Sequence, residues 1–165
     1  MFGYAKGSIA NVGLENVNIN TSSYVSNTLI GTGSLAGLNA GTISNAYSTG
    51  AVQGQFITGG LVGINNTGAT LSNSYSTANV IVEAGAASSS NSFGGGLVGI
   101  NRGAKIINSY ATGNVQTGMP ATSGITLGGL VGNNYCGIIN SSYAIGTINP
   151  KTTGKALTGG LVGIA

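Results

Sequence analysis

Charge is almost missing from this chain. Two of its 165 residues are acidic and five are basic, 4% in all, where about a quarter is usual. Asp, His and Trp do not occur, Pro occurs twice, and Cys136 is the only cysteine. Each shortage excludes something. Without His or Asp the usual general bases are gone, and the abundant Ser has nothing to activate it. A lone Cys supports neither an internal disulfide nor a metal cluster, and the expected role of Cys136 is a small buried or turn residue. Lys6, Arg102, Lys105, Lys151 and Lys155 are scattered, so the net charge of +3 forms no nucleic-acid footprint, which needs a clustered patch. No apolar run approaches the roughly 18 residues of a membrane helix. Met1-Phe2-Gly3-Tyr4 lacks the basic start and apolar core of a signal peptide, so any export signal is expected outside this segment. The expectation is a non-enzyme with no catalytic, cofactor-binding or metal site, no affinity for nucleic acid and no membrane insertion.

Glycine is what the chain has in quantity, 31 residues. With two Pro and no G-X-Y period, collagen is excluded. The hydrophobic fraction of 41% is too high for a chain disordered for want of apolar residues. Solubility rests on Asn, Ser, Thr and Gly, which are poor helix formers and suit turns and flat β faces.

A repeat organises these residues. Gly33-Ser34-Leu35-Ala36-Gly37 recurs as Gly-Gly-Leu-Val-Gly at 59–63, 95–99, 128–132 and 159–163. The anchor leucines Leu35, Leu61, Leu97, Leu130 and Leu161 are 26, 36, 33 and 31 residues apart. A second box follows at nearly constant distance. It centres on Asn45 and Tyr47, then Asn73 and Tyr75, Asn108 and Tyr110, and Ser141 and Tyr143. Each tyrosine stands 12, 14, 13 and 13 residues after its leucine. The length variation therefore falls in Gln53–Thr58, Ile81–Gly94, Gln116–Leu127 and Asn149–Thr158, which read as loops on one side of a stack. A degenerate copy opens the chain, with Gly13 where a Tyr belongs and Phe2 and Leu14 available as replacement bulk. The coils are expected at 1–34, 35–60, 61–96, 97–129 and 130–160, with a sixth starting at 161–165.

Within each copy apolar and small polar residues alternate at period two, as in Thr42-Ile43-Ser44-Asn45-Ala46-Tyr47, which argues strand. One module cannot bury its apolar face, but stacked modules can. The fold class expected is all-β: a parallel β-helix of about five coils, 26–36 residues each, right-handed by the usual chirality of parallel crossovers. Rungs about 4.8 Å apart would align Tyr47, Tyr75, Tyr110 and Tyr143 into an aromatic ladder and the leucines into an aliphatic one. Asn45, Asn73 and Asn108 would make an amide ladder. Either the Leu or the Val of each LVG could face the core. The Gly-Gly pairs would permit positive φ or close backbone approach at a corner. A phosphate loop would need a strand–loop–helix context that is lacking here.

These boxes resemble the GLUG repeat, named for its G-L-x-G core, whose copies read GGLVG-x-N-x-G-x-I-x-NSYATG-x-V. Gly95–Val115 is a close match and Gly60–Val80 nearly as good. The resemblance covers essentially the whole chain and departs from the pattern at Gly13, at Cys136 in place of the turn glycine, and at Ile145 in place of the YATG threonine. It implies a β-solenoid segment of a secreted or bacterial cell-surface protein, such as a filamentous-haemagglutinin-like adhesin, acting as a stalk or adhesion surface. No catalytic residues come with it. The partners expected are its own or flanking coils end to end, and a host-surface protein or glycan. Three alternatives have some basis. Both ends fall inside an LxG box, which suggests a subunit of an end-to-end filament. Thr49, Thr77 and Thr112 could form an ice-binding array, cut short at Ile145. A carbohydrate-active enzyme would need paired carboxylates, and Glu15 and Glu83 lie about two coils apart.

Overall fold

The computed structural model describes residues 2–21, 31–83, 91–118 and 124–165. Among these residues every regular element is a β-strand, and each paired strand lies parallel to its neighbours. Three sheets run along one axis and carry six, eleven and five strands. The chain is a β-solenoid.

One turn shows how the sequence makes this. Ser92–Gly95 lies in the five-stranded sheet, and Gly95-Gly96-Leu97 turns a corner. Val98–Arg102 then enters the six-stranded sheet. A turn at Gly103, with φ of 54°, leads to Lys105–Ile107, Tyr110–Ala111 and Val115–Thr117, all in the eleven-stranded sheet. The register equates like with like: Val62, Val98, Val131 and Val162 pair in succession, as do Leu71, Ile106 and Ile139.

The inserts expected as loops carry strands. Residues 84–90 and 119–123, within two of those inserts, and 22–30, within the first coil, lie outside the described residues. What is described around them is ordered sheet: Thr42–Gln55 continues through Gln53, Asn79–Glu83 pairs beside it, and Ile57–Gly59, Ile125–Gly128 and Ala156–Gly159 belong to the five-stranded sheet. Val80, Val82, Val115, Ile125 and Leu127 form an apolar cluster there. Its alternation is only two or three residues long, and small neighbours dilute it below a clear strand signal.

The main core joins the corner leucines and valines to Ile43, Leu71 and Ile106. Leu and Val of each LVG both face inward: Leu61, Val62, Leu97, Val98, Leu130 and Val131 are fully buried. Strand alternation would put one of them outside. The corner breaks the alternation, because the Leu97 carbonyl accepts both the Leu61 N–H (3.0 Å) and the Val62 N–H (3.1 Å). Each such burial contributes roughly 1.5–3 kcal/mol. The Gly-Gly pairs serve close approach and have no positive φ. A Cβ on Gly95 would overlap the Val98 carbonyl, and one on Gly96 would overlap the Gly129 carbonyl of the next turn and the Ala111 side chain.

Candidate functional site: stacked ladders on and under the outer face

Tyr47, Tyr75, Tyr110 and Tyr143 occupy one rung position of the eleven-stranded sheet. Their ring centroids are 5.0, 4.8 and 5.0 Å apart and the planes differ by no more than 5°. The ladder is on the outside: the first three rings are half-buried and Tyr143 is exposed. Because each ring covers its neighbour's face, the ladder presents ring edges and hydroxyls to solvent. Tyr143, the last ring of the ladder, is 52% exposed.

The ladder stops at Gly13, which pairs with Tyr47. Phe2, paired with Ala36 in another sheet, does not replace the missing ring, and Leu14 packs toward the core. Tyr47 itself leans into the space, so that any side chain on Gly13 would overlap its ring. Its hydroxyl donates to Glu15 at 2.9 Å. That hydrogen bond and the carboxylate's charge hold the Tyr47 phenol above the usual 10.0, while burial raises that of Tyr110.

Asn45, Asn73 and Asn108 line up two residues away, and their first role is conformational. They have φ of 50°, 48° and 49°, and Ser141, their counterpart, has 49°. Asn tolerates this left-handed region because its short polar side chain bonds locally. Amide contacts join Asn45 to Asn11 (3.1 Å) and Asn108 to Asn73 (3.3 Å). After each of them a small residue turns inward. Ser74 and Ser109 bond their own Ser72 and Ile107 carbonyls at 2.7 and 2.8 Å, and each accepts an N–H from the preceding turn.

A more continuous amide row lies inside. Asn39, Asn65 and Asn101 are fully buried and Asn134 half-buried. Each donates to the next: Asn39 to Asn65 at 2.8 Å, Asn65 to Asn101 at 2.9 Å, Asn101 to Asn134 at 2.8 Å. Sequence reasoning passed over these four as a site, although each stands four residues after its anchor leucine. Spacing was the signal, and the G-x-N of the repeat pattern contained it.

The remaining residues of interest stay apart. Leu35, Leu61, Leu97 and Leu130 are core, whereas Leu161 in the last turn is 38% exposed. Glu15 lies beside Tyr47 at the irregularity between Leu14 and Val17, while Glu83 accepts from Gln53 Nε2 at 2.7 Å on another rung. Thr49, Thr77 and Thr112 are at least partly exposed, and Ile145 is 74% exposed at the end of that row. The tyrosine row stands two residues before them on the same rungs. Cys136 is exposed with φ of 54°, the value of Gly103 one turn earlier. Among the described residues no three His, Cys, Asp or Glu come together as a metal-binding group.

The GLUG motif matches residues 90–116. That segment holds one complete set of the features above: corner glycines, Leu97, Asn101, Asn108 and Tyr110. No curated protein and no solved structure matches the chain.

Proposed function

We propose that this chain is a structural segment of an extracellular or bacterial cell-surface repeat protein, serving as a stalk or adhesion surface. The observation that carries the reading is the unbroken stacking of like on like. Leucines, buried asparagines and tyrosines each align from Leu35 to Tyr143, and the outer face is almost free of charge. A GLUG motif on a β-solenoid is consistent with an extracellular repeat protein. Such a body resists bending, since each turn is bonded to its neighbours along three sheets. Its surface is little affected by salt, because few charges are there to be screened. Contact with a host-surface protein or glycan would use hydroxyls, amides and phenol edges.

Antibodies against the chain, applied to intact and to permeabilised cells of the source organism, test the location. Labelling of intact cells that brief external proteolysis removes is expected. Labelling only after permeabilisation would overturn the reading. For the adhesive role, the immobilised chain is passed over a panel of host-surface glycans and proteins. Saturable retention supports adhesion, and no retention leaves the stalk alone.

A further inference from the structure

No internal disulfide can tie the turns together, because Cys136 is the only cysteine of the 165 residues. The tyrosine ladder offers a different covalent route. Tyr75 and Tyr110, its inner pair, have ring centroids 4.8 Å apart and planes within 1° of parallel. Their strands pair in register, as do those of Tyr47 with Tyr75 and Tyr110 with Tyr143. Rings related in this way keep the carbons ortho to their hydroxyls about one centroid spacing apart. None of the four rings is fully buried, so a soluble oxidant can reach their edges. The residues two before and two after the inner rings, Asn73, Thr77, Asn108 and Thr112, are short and do not wall those edges in.

A second observation concerns the proton. A neutral phenol that gives up an electron must also release its hydroxyl proton. The Tyr47 hydroxyl already donates to Glu15 Oε1 at 2.9 Å, so a carboxylate is in place to take it.

We propose that the ladder is an oxidative cross-linking site, at which hydrogen peroxide acting through a haem peroxidase joins tyrosines of adjacent turns as dityrosine. The peroxide removes one electron and one proton from each of two neighbouring phenols and leaves as two waters. The two phenoxyl radicals carry their unpaired electrons partly on the ortho carbons, and those electrons pair in a new carbon–carbon bond between the rings. Each joined carbon then loses its hydrogen as a proton and each oxygen regains one, which restores both phenols. Two phenols and one peroxide give one dityrosine and two waters. The stack replaces an encounter between dilute radicals with a pair held side by side. Each bond ties turns whose tyrosines are 28, 35 or 33 residues apart, closing a loop as a disulfide would. The inference goes beyond the stalk reading and does not depend on it, since the ladder and an oxidant suffice.

Oxidation of the folded, dilute chain with hydrogen peroxide and a haem peroxidase tests it. Dityrosine fluorescence gives the yield, and mass mapping of the peptides gives the partners. Links should join ladder neighbours within one chain, which keeps the monomer mass. The four ladder phenols make two separate pairs, whereas Tyr75→Phe leaves only Tyr110 with Tyr143. In that variant, whose fold circular dichroism checks, the yield should fall by about half and Tyr47 should drop out of every link. Glu15→Gln should slow the Tyr47–Tyr75 link and leave the Tyr110–Tyr143 link unchanged. A folded chain that forms no dityrosine would overturn the proposal. So would a chain unfolded in urea that gives the same partners and yield, or links to Tyr4 and Tyr135 as frequent as those between ladder neighbours. An unchanged Tyr47–Tyr75 rate in Glu15→Gln would overturn the part given to Glu15.

Discussion

Removing one amide from the inner row should cost much more than removing one from the outer row. Asn101 donates to Asn134 at 2.8 Å and to the Ala104 carbonyl at 3.2 Å, and it accepts from Asn65 at 2.9 Å. In Asn101→Ala all three bonds go. Each neutral bond is worth about 1 kcal/mol net, and a buried group left without a partner costs about 1–3 kcal/mol. Asn65 keeps a bond to the Lys105 carbonyl at 3.2 Å, so its amide is not stranded, but Asn134 loses its donor. The expected loss is about 3 kcal/mol. Asn108→Ala is the control in the same turn. Its side chain is exposed and makes one bond of 3.3 Å, which leaves mainly the cost of a left-handed backbone without Asn, about 1 kcal/mol. Urea unfolding read by circular dichroism separates the two. With a slope of about 2 kcal/mol per molar, the midpoints should fall by about 1.5 M and about 0.5 M. A loss in Asn101→Ala no larger than in Asn108→Ala would refute the claim that the inner row holds the turns together.

Other outcomes follow from single positions. Cys136→Gly should raise the melting temperature, by a gain of about 0.5–1 kcal/mol, because it relieves a left-handed φ that Gly103 already tolerates one turn earlier. Gly96→Ala should cost about 3 kcal/mol or more, since its Cβ has backbone against it, whereas Gly68→Ala, with φ of 80° and open space around it, should cost about 1 kcal/mol; thermal melts compare them. Tyr47 and Tyr110 are held above 10.0, so the fold favours their protonated forms. Their contribution is complete below the ordinary phenol value and is lost as pH rises through the folded values. Stability should therefore decline above about pH 10, and Glu15→Gln should lower the phenol titration of Tyr47, read by phenolate absorbance.

Much of the architecture was legible because repetition amplifies weak signals. One Gly-Gly-Leu-Val-Gly proves little, but recurring copies with a tyrosine 12–14 residues on impose a common rung. What escaped was whatever one rung decides alone. The orientation of Leu97 and Val98 depends on a carbonyl of the following turn receiving two N–H groups. The strands around Val80 and Ile125 are too short to show a period. Asn45, Asn73 and Asn108 were read as an amide ladder on type and spacing, yet their φ values reveal the constraint that selects Asn. The inner asparagines were the stronger ladder. Nothing in their residue type separates inside from outside, and only the pairing register does.

The hydrogen-bonded turns also bear on how the chain reaches this state. Amide-to-amide bonds between adjacent turns join residues 26–36 apart, and every strand pairing described is parallel. Among the described residues no hairpin is available as a cheap seed. The first two turns must meet by closing a loop of about 30 residues, at an entropic cost of about 3 kcal/mol, before a third turn can reward them. Each later turn condenses onto an edge that already exists. Folding should thus resemble the growth of a crystal layer, slow to nucleate and then templated. Lengthening an insert twofold should add only about 0.6 kcal/mol to that closure, which leaves the inserts free to vary while the rungs stay in step.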